Sequence, residues 1–325
     1  MPNTNKLNHI FHTKGGSFLQ RSFFTMFSNN KKETITLLNR EDLEFATLFL
    51  LENEINKLKL RRYLNDRNQI ALEITKEILS NPQVPCTLSL NWQLCDYSHV
   101  IQAALKWIIT SNKQTISNFQ YIEVIDSCSS LLTSTYKDEN ILPYLCKLIF
   151  SRYKQDLPYH YLTRAFFEAK ESTSLLLIAE RLTSNDLQEV KFAKRILAFI
   201  PELASQQNGK EAYNIFYRWF QLNNLFLYYT GESFDTSHFP TLYTIALHAK
   251  YLGKPVFIQT GEILESLTEQ EKNLLNDFYH LEESKQSQIA NYSNSLRIQH
   301  FHKWRQWLEQ PLEVQLEEVK ELSHD

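Results

Sequence analysis

The chain has 325 residues, 43% of them hydrophobic and 22% charged, so it can bury a large core and lies outside the disordered regime. A net charge of −3 gives no overall electrostatic case for nucleic acid or an anionic membrane. Only six glycines are present, which disfavours turn-rich β-architecture and phosphate loops built on glycine and points to an all-α fold.

Residues 1–38 carry Lys6, Lys14, Arg21, Lys31 and Lys32 before any acid, with Phe18, Leu19, Phe23, Phe24 and Phe27 interspersed. They lack the uninterrupted apolar core and small-residue cleavage site of a secretory signal, and a single arginine gives little support to a transit peptide. The expectation is a loosely ordered, partly docked tail. An N-terminal helical segment follows over 39–80: Asn39 with Glu41 and Asp42 reads as its cap, and Leu48, Leu51, Ile55 and Leu58 as its apolar stripe. Pro82 and Pro85 mark an irregular connection over 81–96.

From 97 to 222 the pattern is helix after helix. Val100, Ala104, Trp107 and Ile108 make one face, and Ser117 and Gln120 read as a capping box. Tyr121, Val124, Ile125, Cys128 and Leu132 follow at helical spacing. Pro143 and Pro158 suit first turns, Pro201 ends a helical pair, and Asn208 caps a helix with Ala212, Ile215, Phe216, Trp219 and Phe220 on one face. Within this array, Ser174–Leu203 resembles a HEAT-type repeat: a first helix ending in Leu182, Asp186 in the turn, then Val190-Lys191 with Ala193, Ile196 and Leu197. The resemblance covers under a tenth of the chain. It implies that Asp186 and Lys191 stabilise stacking between repeats, and that the protein is an α-solenoid binding partners on one face; it implies no chemistry. The expected fold is therefore stacked antiparallel helix pairs, a HEAT-like α-solenoid or a related helical array, with a C-terminal helical cap.

Residues 223–262 interrupt the pattern. Two apolar runs, Leu225–Tyr229 and Val256–Ile258, each enter a Thr-Gly-Glu turn, at Thr230–Glu232 and Thr260–Glu262. Between them a polar loop leads to a helix expected from Pro240, carrying Leu242, Ile245, Ala246, Ala249 and Leu252. The second Thr-Gly-Glu reads as a helix cap before Ile263. The segment is expected to pack between the array and a helical cap over 263–325. That cap comprises a helix opened by a capping box at Thr268 and Glu271, a long helix from about 285 to 310, and an acidic amphipathic helix after Pro311.

The chemistry-bearing residues concentrate in this loop. Tyr228, Tyr229, Glu232, Asp235 and His238 are the candidate binding residues, since loops on rigid scaffolds often carry contact. The same carboxylates, His238 and His248 could support acid–base catalysis if Glu232, His238 and His248 lined one deep pocket. Turn formation is the competing reading, because Asp, Ser and Gly stabilise local turns. His300 and His302 lie two apart on a helix and point away from each other, so they cannot share a metal. The basic residues around Trp304 and Trp307 read as a solvated face beside buried rings.

No pair among Cys86, Cys95, Cys128 and Cys146 has the short spacing of a zinc knuckle or redox motif, so buried thiols in a reducing compartment are expected. No apolar run approaches the ~20 residues of a membrane span. Nucleophile-elbow, Walker, Rossmann and zinc-protease motifs are absent from the sequence. The function expected is a non-enzymatic cytoplasmic interaction or adaptor protein that binds a protein partner through its helical surface, with no cofactor and no metal. The alternatives are an enzyme using the Tyr228–His238 loop, or a helical array binding nucleic acid through basic residues on its inner face.

Overall fold

Apolar residues at helical spacing dominate the sequence, and the computed structural model of the protein is accordingly mostly helical. It describes residues 4–80, 98–111, 116–206 and 208–322. Among these are eighteen α-helices and one two-stranded sheet. The expected irregular connection at 81–96 lies outside the described residues. The chain forms two compact units, Met1–Ala169 and Lys170–Asp325, so the boundary falls inside the stretch read as one array. No helix among the described residues is long and apolar enough to cross a membrane.

In the first unit the tail expectation gives way to three helices, α1 (Lys6–Lys14), α2 (Gly16–Asn29) and α3 (Lys31–Leu38). The cause is burial plus side-chain pinning. Leu7, Leu19, Phe23 and Leu38 are fully buried. Asn5 caps α1 by accepting from the Leu7 amide and donates from its own side chain to the Leu37 carbonyl. Asn8 bridges the next segment, donating to the Asp42 carbonyl at 2.6 Å and accepting from the Glu44 amide at 3.1 Å. Asn39, expected as a helix cap, instead ends α3. Its amide donates to the Tyr63 carbonyl and accepts from the Asn65 amide, both at 2.7 Å.

Helices α4 (Phe45–Leu50), α5 (Glu52–Lys57), α6 (Asp66–Ser80) and α7 (Ser98–Thr110) follow. Helix α8 (Phe119–Ser130) is capped by Asn118, which accepts from the Tyr121 amide, in place of the expected Ser117 box. Helices α9 (Leu142–Lys154), with Pro143 in its first turn as expected, and α10 (His160–Glu168) complete the unit. Helix α6 packs on α7 and α8, and α10 packs on α8 and α9.

The second unit opens with the segment that resembles a HEAT repeat. Helix α11 (Ser174–Ala179) tightens into a 3₁₀ turn over Glu180–Thr183, and α12 (Leu187–Ile196) is capped by Asp186, which accepts from the Gln188 amide. Helix α13 (Gly209–Asn223) is capped by Asn208, as its sequence predicts. The helix expected from Pro240 is instead strand and then helix. Strand β1 (Leu227–Tyr229) pairs antiparallel with β2 (Tyr243–Ile245), and only from Leu247 to Leu252 is the chain helical, as α14. Aromatic and β-branched Tyr243, Thr244 and Ile245 suit a pleated surface, and an exposed edge of β1 was available to pair with them.

The second Thr-Gly-Glu is a tight turn, not a helix cap. The Gly261 amide donates to the Phe257 carbonyl at 2.8 Å, and Val256 bridges to Ile263 across it. Helix α15 (Glu269–Tyr279) carries the expected capping box between Thr268 and Glu271. The long helix expected over 285–310 is broken at His300 into α16 (Glu283–Gln299) and α17 (Phe301–Leu308). The reason lies in Trp304, whose indole donates to Ser293 Oγ at 2.8 Å. Eleven residues of straight helix would hold these positions about 16 Å apart, so the chain must fold back for them to meet. Helix α18 (Leu312–Leu322) ends the unit, whose core gathers Tyr251, Phe278, Ile289 and Trp307.

Candidate functional site

Strands β1 and β2 hold the ends of the 230–242 loop together, and the loop then satisfies much of its own backbone. The Thr230 amide donates to the Leu242 carbonyl, and its hydroxyl donates to the Thr241 carbonyl. Glu232 Oε2 accepts from the Thr241 amide at 2.7 Å. The Ser233 carbonyl accepts from the amides of Thr236 and Ser237. Ser233, Phe234 and Pro240 turn inward, and Phe234 lies under the Arg195 guanidinium. Asp235, Thr236, His238 and Phe239 face solvent. The result is a short compact loop of the kind that packs on its own side chains.

The sequence-derived candidates separate into two groups. Glu232, Asp235 and His238 are exposed on the loop, with Asp235 accepting from the Ser233 hydroxyl at 3.5 Å. Tyr228 and Tyr229 are half-buried on β1, and the Tyr229 ring lies 5.7 Å from that of Tyr243. Tyr228 reaches a different neighbourhood, a hollow of about 370 Å³ that it lines with His248, Thr260, Tyr279 and Glu283. Burial pulls the His248 pKa down, against an opposing hydrogen bond to the Gly261 backbone. Of the three residues named by the enzymatic alternative, Glu232, His238 and His248, only His248 lines this hollow. Glu232 closes the loop through one carboxylate oxygen while its side chain stays exposed.

A second cleft in this unit uses residues that the sequence reading passed over. It measures about 450 Å³ and is lined by Glu202, Arg218, Trp219, Asn223, Lys250 and Asn291, among others. At its base is Lys250, only 3% exposed. The ammonium donates to Asn223 Oδ1 at 2.6 Å and to Asn291 Oδ1. Burial lowers its pKa to about 8, and the negative charge of Glu202 partly resists that shift. A signal for this site was present in the sequence. Lys250 lies four positions after Ala246, so it is a charge on the same helical face as that apolar residue.

Among the described residues, no group of three or more His, Cys, Asp or Glu side chains converges to hold a metal ion. His300 and His302 are both exposed at the break between α16 and α17. Comparison with protein-family models, with curated proteins and with solved structures finds no match for this chain.

Proposed function

We propose that the protein is a non-enzymatic binding protein, a helical scaffold that presents the 230–242 loop to a protein partner. Phe239 carries this reading. It is 70% exposed on a loop whose backbone is already tied by Thr230, Glu232 and Ser233. A large ring held in water by a braced loop has little left to lose in ordering when it docks. Buried aromatic anchors of this kind dominate many interfaces. Glu232, Asp235 and His238 are exposed on the same loop and would serve as its polar rim.

The HEAT-like character of Ser174–Leu203 belongs to the same proposal. What supports it is the pair α11 and α12 with Asp186 capping the turn. Repeats of that family bind partners along one face, in keeping with a scaffold role. The buried thiols of Cys128 and Cys146 suit a reducing, cytoplasmic setting.

The test is site-specific photo-crosslinking in an extract of the native host. A benzophenone amino acid is placed at Phe239 and, separately, at Phe119, which is 79% exposed in the other unit. A discrete adduct formed from position 239 and missing from position 119 supports the reading. Identical adducts from both positions, or none from 239, overturn it.

A further inference from the structure

The cleft around Lys250 has a chemistry of its own. An ammonium offers three N–H donors. Two are held by the side-chain oxygens of Asn223 and Asn291, which are neutral acceptors. Among the described residues the third has no partner, and no carboxylate comes within ion-pair distance of the nitrogen. A buried cation without a counter-charge is costly. The depressed pKa is one sign of that cost, although at neutral pH the ammonium form still predominates.

The rest of the cleft supplies what an incoming anion needs. The half-buried Ser295 hydroxyl lines it and makes no other hydrogen bond among the described residues. Arg218 also lines it, and the bond from Arg218 Nε to the Asn214 carbonyl leaves the terminal guanidinium nitrogens available. Ile215, Trp219 and Leu222 form an apolar wall. The volume of about 450 Å³ is that of a small-molecule site, which typically spans roughly 300–1,000 Å³. Asn223 is fixed by donating to the Trp219 carbonyl at 2.7 Å, so the ammonium cradle is already formed before any ligand arrives.

We propose that this cleft binds a small organic oxyanion, a single carboxylate or phosphate head on an apolar body, with the head on Lys250 and the body against Trp219. Glu202 at the same cleft sets the limit on charge. It repels a second anionic group and so excludes polyphosphates and nucleic acid. This site is independent of the Phe239 loop.

Isothermal titration of the full chain at neutral pH tests the proposal with benzoate, phenyl phosphate and the neutral benzamide. At least one anion is expected to bind about tenfold or more tightly than benzamide, the usual return on a hydrogen bond to a charged group. Which anion wins identifies the head group. Lys250→Met should lose that preference with its unfolding transition retained. The exposed Glu202→Gln should fold normally and bind the anion more tightly, by about threefold, because a like charge is removed. Should Lys250→Met fail to fold, the benzamide comparison and Glu202→Gln still decide. Equal binding of benzoate, phenyl phosphate and benzamide, no detectable binding of either anion, or indifference to Glu202→Gln overturns the proposal.

Discussion

Lys250 Nζ donates to Asn223 Oδ1 over 2.6 Å, tying α14 to the last residue of α13 across a sequence separation of 27. Removing the acceptor strands a buried ammonium on Asn291 alone. Asn223→Leu is therefore expected to cost about 2–4 kcal/mol in urea denaturation. Combined with Lys250→Met it should cost clearly less than the two single changes added together, because no charge remains to be stranded. Strict additivity in that double-mutant cycle would show that the contact contributes nothing.

The same lysine makes stability depend on pH in a defined direction. Its folded pKa of about 8 lies below the ordinary lysine value of 10.5, so the folded protein releases this proton first. Below about pH 8 both states hold the proton, and Lys250 imposes its full cost. Between about 8 and 10.5 the unfolded chain holds more protons, so stability rises with pH. The gap corresponds to at most about 3 kcal/mol. Charges facing the ammonium modulate this, Glu202 holding the pKa up and Arg218 standing on the same cleft. The stability of the wild type minus that of Lys250→Met should climb from pH 7 to pH 10; a flat difference would remove the argument.

The residues that were legible in the sequence are those whose structure is set by near neighbours. Asn208 and the Thr268–Glu271 box cap helices as expected, because a cap needs only the next three residues. Where long-range partners decide, local reading failed. Asn39 looks like a cap but answers to Tyr63 and Asn65, and Tyr243–Ile245 look helical until β1 offers a strand edge. Trp304 breaks a continuous helical pattern in order to reach Ser293. The site suffered from the same cause. Glu232 and His248 are close in sequence and part of one attractive composition, yet the first closes a loop while the second lines a hollow with Tyr228. Lys250 owes its character to Asn223 and Asn291, on two other helices.

In the first unit, Arg152 on α9 is 1% exposed, and its Nη1 meets Asp126 Oδ1 of α8 at 2.5 Å. The same nitrogen donates to the Pro158 carbonyl at 3.1 Å, so the guanidinium also fastens the turn before α10. Asp126→Ala should cost about 3–5 kcal/mol, since it leaves a buried charge uncompensated. The pair replacement Asp126→Leu with Arg152→Met should recover much of that loss, because both charges leave together. Chemical denaturation of the three proteins decides the point, and a double variant no better than Asp126→Ala would contradict it.

The two Thr-Gly-Glu turns look alike in sequence, but their glycines face different surroundings. Both have positive φ, 86° at Gly231 and 76° at Gly261, where any side chain is strained. A Cβ at Gly231 would meet nothing within 4 Å, whereas one at Gly261 would fall 2.8 Å from Tyr228 Cδ1 and 2.9 Å from its Cγ. Gly231→Ala is therefore expected to cost only the backbone term, about 1 kcal/mol. Gly261→Ala adds a clash with a ring held on β1, whose neighbour Tyr229 donates its amide to the Ile258 carbonyl at 2.8 Å. The ring cannot easily withdraw, and the total should reach about 2–4 kcal/mol. Pairing Gly261→Ala with Tyr228→Ala should relieve the clash and return the cost toward that of the backbone alone. Thermal unfolding of the three variants measures this, and equal losses for Gly231→Ala and Gly261→Ala would show that Tyr228 gives way freely.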